Sequence, residues 1–156
     1  MTTRSAQHGT IRLERRYKAT AARVFAAWAE PKARAKWDVP GRWVIAEQTF
    51  DFREGGRELK RFGPKDDARL VADTLYIDVV PQRRIVFSYS MTSRGTPISV
   101  SLTTIVLSPA PSSGGRDTHL LLTEQIVFLD GNDNAANREE GLASMLDKIG
   151  ETLLSV

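Results

Sequence analysis

Glu124 and Gln125 stand side by side inside an apolar run, with Leu120, Leu121 and Leu122 before them and Ile126, Val127 and Phe128 after. In a strand, neighbours point to opposite faces, so one of the two must face whatever this run packs against. A carboxylate turned inward would accept a proton or anchor the polar end of a ligand, burial disfavouring its charged form. Turned outward, Glu124 would pair with an arginine of a neighbouring strand, and the sequence leaves both arrangements open. Asp73 is the second candidate for proton transfer; with Glu58 and Arg61 it also fits an ordinary cross-strand ion pair on a solvated face. Arg15 shares the parity of Ile11, Leu13 and Tyr17, so it would seek a carboxylate if buried, or lie at a frayed sheet edge.

Other chemistries lack their residues. The chain has no cysteine and only two histidines, His8 and His119, in no metal-ligand spacing, so neither a thiolate nucleophile nor a zinc site is expected. The GxSxG elbow, the P-loop and the dinucleotide fingerprint are absent, and Gly55–Gly56 reads as a tight turn. No metal and no cofactor is expected. Up to Arg42 there are ten Lys/Arg against three Asp/Glu. They are interleaved with Ala and Trp, which fits a solvated face and not a nucleic-acid surface. No signal peptide and no membrane span is read from Met1–Gly9 or beyond, and a cytoplasmic location is expected.

These residues need elements to position them. Alternation over Ile11–Tyr17 predicts a strand. Thr20 caps a short helix carrying Val24, Phe25 and Trp28, and Pro31 opens another running to Trp37. Six strands are expected next, over 43–52, 57–62, 70–80, 85–91, 98–107 and 118–128, with a Pro/Ser/Gly loop over 108–117. A long amphipathic helix closes the chain, with Ala135, Leu142, Met145, Leu146, Ile149 and Leu153 on one stripe that Arg138 interrupts. The reading is an α+β fold: a disordered tail over 1–9, then one domain over 10–156 in which a curved antiparallel sheet grips the last helix. Such a fold leaves space between sheet and helix. Trp37, Trp43, Tyr89, Glu124, Gln125 and Met145 are its candidate lining residues.

Arg15–Tyr17, the run Ala22–Trp28, Pro31 and Trp37 resemble the opening of the family related to the C-terminal domain of the activator of the Hsp90 ATPase. That family lies in the START-like, or Bet v 1-like, helix-grip superfamily (SRPBCC). Phe52–Gly56, Val79–Phe87, Thr123–Gln125, Phe128–Gly131, Arg138–Gly141 and Leu146–Ile149 continue the resemblance, which spans about residues 10 to 154. It implies a helix-grip fold with a hydrophobic cavity, in a superfamily of lipid and sterol carriers, hormone receptors and polyketide cyclases. It assigns no catalytic set, and co-chaperone activity belongs to proteins with an additional N-terminal domain. The function expected is binding of a small hydrophobic or aromatic molecule. A cyclase-, dehydratase- or hydrolase-like enzyme using a cavity carboxylate and a protein-interaction role are the alternatives. Homodimerisation through an exposed sheet edge or a surface strand is a further expectation.

Overall fold

In a computed structural model, which describes residues 4–154, the alternating segment around Ile11–Tyr17 forms strand β1 (Ala6–Tyr17). Of the tail expected over 1–9, residues 1–3 lie outside the described residues. Ala6–Gly9 extend β1, because the strand opposite continues as far as Leu129 and gives their backbone groups partners. Thr20 then caps α1 (Ala21–Ala29), its hydroxyl accepting from the Arg23 N–H at 3.3 Å. Pro31 opens α2 (Pro31–Arg34), whose single turn ends sooner than the expected run to Trp37.

Six strands follow: β2 (Val44–Phe50), β3 (Arg57–Gly63), β4 (Leu70–Val80), β5 (Arg84–Ser93), β6 (Thr96–Pro109) and β7 (Thr118–Leu129). They join β1 in one antiparallel sheet of order β1-β7-β6-β5-β4-β3-β2. The last element is α3 (Ala135–Leu154), capped by the Asn134 side chain, which accepts from the Asn137 N–H at 2.9 Å. This is the helix-grip arrangement: an open curved sheet, two short helices after its first strand, and a long C-terminal helix. Among the described residues, no helix is long and apolar enough to cross a membrane.

One half of α3 is seated tightly. Leu146, Ile149 and Leu153 are buried with Val24, Trp28, Ile105 and Leu120. The Tyr17 hydroxyl donates to the Leu146 carbonyl at 2.7 Å. Gly150 faces the same ring, where a Cβ would lie in contact with Tyr17 Cε1 at 3.4 Å. Burying this apolar surface is the main stabilising term for the grip. The other half of α3, from Arg138 to Met145, stands over the sheet with space beneath it.

Strand register sets what faces that space. Glu58, Thr74, Tyr89, Ser101 and Ile126 oppose one another in turn across β3 to β7, and the next row runs Tyr76, Phe87, Thr103, Glu124 and Ile11. The plain alternation expected for β4 breaks at a bulge between Tyr76 and Asp78. Past it, Val79 opposes the core residue Ile85 and packs on the core. The Gly55–Gly56 turn is bound to the same place: the Gly55 N–H donates to the Tyr76 carbonyl at 2.8 Å, and the Tyr76 N–H to Gly56 at 2.9 Å. A Cβ on Gly56 would lie 2.1 Å from the Asp51 carbonyl, so only glycine fits.

Candidate functional site

Between the outer half of α3 and the concave sheet face lies a cavity of about 540 Å³. Trp28, Trp43, Phe62, Phe87, Met91 and Met145 give it apolar walls. Two clusters of buried polar side chains are set into them.

The first is centred on Arg34, at the end of α2. Its guanidinium donates to Asp38 at 2.8 Å, to Glu58 at 2.9 Å and to the Tyr76 hydroxyl at 2.9 Å. Tyr76 in turn donates to Glu58 at 2.6 Å, and Gln48 donates to both carboxylates. Lys60 caps the group, bonding the Asp38 carbonyl at 2.6 Å and lying 3.2 Å from its carboxylate. Two cations therefore meet two carboxylates, and Trp37 and Phe50 hold the guanidinium at ring distances of 5.1 and 4.9 Å. Burial alone would raise the Asp38 carboxyl. The charges and hydrogen bonds of Arg34 and Lys60 outweigh it and hold Asp38 below the usual carboxylate range. Burial likewise lifts the Tyr76 hydroxyl well above its ordinary value, and Glu58 adds to the effect.

The second cluster joins α3 to β5, β6 and β7. Glu124 is buried and accepts from Thr103 at 2.6 Å, from Tyr89 at 2.8 Å and from Arg138 at 3.4 Å. Arg138 also donates to Tyr89 at 3.0 Å, Ser101 at 3.2 Å, Ser99 at 2.7 Å and Asp133 at 3.1 Å. Burial and then the neighbouring Glu124 push the Tyr89 hydroxyl far above its ordinary value, so it stays a neutral donor. Hydroxyls supply most of this cluster's bonds. Between the two clusters Thr74 lies buried on the wall, opposite Glu58 on one side and Tyr89 on the other.

Of the residues singled out from sequence, Trp43, Tyr89, Glu124 and Met145 border the cavity. Three do not. Trp37 is only 1% exposed and lies beneath the cap, its indole N–H donating to the Ala27 carbonyl at 2.9 Å, and Trp28 takes the wall position instead. Gln125 points outward, because strand parity gives the inner face to Glu124. Asp73 is also on the outer face, 3.6 Å from Arg57, so it offers the cavity no carboxylate. Arg15 is neither core nor frayed: it leaves the sheet edge to bond Asp147 of α3 at 2.8 Å.

Sequence reasoning missed Arg34, Asp38 and Lys60, and placed Glu58 on a solvated face. The signal was in β3, where Glu58 and Lys60 share the parity of the core residue Phe62. Arg138 was marked by its intrusion into the apolar stripe of α3.

Comparison with solved structures agrees with this architecture. An uncharacterized protein from Rhizobium leguminosarum is 40% identical and superposes with a TM-score of 0.88, covering 99% of this chain and 100% of its own. The Mll3558 protein from Rhizobium loti is 41% identical, with a TM-score of 0.84 over 94% of this chain and 98% of its own. The AHSA1 protein from Silicibacter pomeroyi shares the fold at 16% identity, with a TM-score of 0.74 over 94% of this chain and 98% of its own. No match is found among curated proteins. The sequence model described as "Activator of Hsp90 ATPase homolog 1-like protein" matches residues 18–154, and the chain belongs to that family.

Proposed function

We propose that this protein binds a small, largely apolar molecule in the cavity between the sheet and α3, without transforming it. The observation that carries this reading is the cavity itself. Its volume of about 540 Å³ falls within the range of small-molecule sites, roughly 300–1,000 Å³. Its aromatic walls with a few polar groups also fit such sites. Against catalysis stands the state of Glu124, whose oxygens are engaged by Thr103, Tyr89 and Arg138 and not directed as a lone base into the space. Native mass spectrometry of protein gently purified from its own host is the test. A stoichiometric bound molecule, released on denaturation, is the expected result. A clean apo mass together with failure of apolar probes to bind would overturn the reading, and turnover of the bound molecule would replace it with an enzymatic one.

A second reading concerns the outer sheet face. Val100, Leu102 and Val106 form an exposed apolar stripe along β6, flanked by Leu121 and Val127 of β7. Pairing of two copies through this stripe would bury it. Light scattering across a dilution series would then show a dimer that Leu102→Lys converts to monomer.

A further inference from the structure

The charges on the cavity wall indicate which ligands it would accept. Three cations, Arg34, Lys60 and Arg138, face it together with four carboxylates, Asp38, Glu58, Glu124 and Asp133. Each cation is already within 3.5 Å of a carboxylate: Arg34 of Asp38 and Glu58, Lys60 of Asp38, and Arg138 of Glu124 and Asp133. The carboxylates are further engaged by Gln48, Tyr76, Tyr89 and Thr103. An anion entering this space would shed its water and find no unpaired cation, and an ammonium would find only carboxylates already bonded to Arg34, Lys60 or Arg138. Thr74 is different: it is buried on the same wall between the clusters, it is neutral, and its hydroxyl takes no part in the hydrogen bonds of either.

We propose that the cavity selects uncharged amphipathic molecules, with a hydroxyl or carbonyl end paired to Thr74, and rejects carboxylates and amines of the same skeleton. This rests on the cavity-binding reading above and narrows it to a chemical class. Selectivity arises from the cost imposed on the wrong ligand as much as from attraction to the right one. Glu124 and Arg138 act as specificity residues by neutralising each other. Removing Glu124 takes one negative charge from the wall and leaves Arg138 to Asp133 alone, whereas removing Arg138 leaves Glu124 and Asp133 without their cation. The only other charged side chains on the lining, Arg42 and Glu140, are exposed at the rim and opposite in sign.

Decanol, decanoate and decylammonium share one alkyl chain and differ only in head charge. Their affinities near neutral pH are read from the tryptophan fluorescence of Trp28 and Trp43. Decanol is expected to bind about tenfold tighter than either ion, a factor that desolvating an unpaired charge readily supplies. Thr74→Val is expected to weaken decanol about fivefold, the scale of one lost hydrogen bond. Glu124→Gln should raise the affinity of decanoate relative to decanol, and Arg138→Met should raise that of decylammonium relative to decanol. If those two variants do not fold, the wild-type order and Thr74→Val still decide. Decanoate binding as tightly as decanol would overturn the proposal, and loss of that binding in Arg42→Ala would put a charged head at the rim. An unchanged decanol affinity in Thr74→Val would remove Thr74 from the site. Binding without head-group preference contradicts this inference alone, whereas no binding by any of the three contradicts the cavity reading as well.

Discussion

The two polar clusters of the cavity wall use similar residues for different ends. Around Arg34, two full positive charges meet two full negative ones at 2.8 to 3.2 Å, and rings of Trp37 and Phe50 close over the guanidinium. Around Glu124, the ion pair to Arg138 is longer, at 3.4 Å, Asp133 holds the other side of Arg138 at 3.1 Å, and hydroxyls of Tyr89, Ser99, Ser101 and Thr103 supply the remaining bonds. Charge-to-charge contacts dominate the first cluster, which joins α2 to β3 as a clamp. Hydroxyls rotate and can exchange partners at little cost. The second cluster ties the outer half of α3 to the sheet. The contrast lies in the kind of partner and not in burial of charge, which the two clusters share.

Breaking the clamp should have the largest effect. Arg34→Met strands Asp38 and Glu58 in the interior with Lys60 as their sole cation, and should cost about 3–5 kcal/mol in urea unfolding. Glu124→Gln keeps the shape and should cost less, about 1–3 kcal/mol, while changing ligand preference as stated above. A loss from Glu124→Gln equal to that from Arg34→Met would erase the distinction between the clusters.

Two pH limits sharpen the same contrast. Asp38 is held below the usual carboxylate range, so the stability it contributes is complete above about pH 4, near the unfolded value. It is lost as pH falls through the lower folded value. Asp38→Asn should make the acid limb of the stability profile shallower. At the alkaline end, the chain has three tyrosines, and burial raises all of them, Tyr17, Tyr76 and Tyr89. Their contribution is complete below about pH 10, the unfolded value, and declines above it. Tyrosinate absorbance should therefore stay absent while the protein is folded at about pH 11 and appear together with unfolding. The smallest effects belong to Asp73→Asn and Gln125→Ala, within about 0.5 kcal/mol and without effect on ligand binding.

The elements were legible in the sequence because their apolar periodicity is strong: alternation in β1, the capped α1, and the stripe from Leu142 to Leu153. The site was legible only in part. Period two shows that Glu124 and Gln125 face opposite ways, but β7 is apolar on both faces, with Leu121 and Val127 opposed to Leu122 and Ile126. The inward side could not be told from the strand itself. The β4 bulge interrupts a pattern that the residues alone continue through Val80. Arg34 resembled any charge on a short surface helix; Asp38 is its neighbour four residues on, but its burial depends on Glu58 and Tyr76 arriving from β3 and β4. Trp37 was expected at the cavity because it ends the segment of the two short helices; its indole instead turned inward to satisfy its N–H on Ala27.

The central claim, that the space beneath the outer half of α3 receives a ligand, is tested most directly by following the indole N–H signals of the three tryptophans in a two-dimensional NMR titration with decanol. Trp28 and Trp43 border the cavity and Trp37 does not. Entry of decanol should give saturable shifts of the Trp28 and Trp43 signals with Trp37 nearly still. Shifts confined to backbone amides of Val100, Leu102 and Val106 on the outer face, or none at saturating decanol, would contradict it.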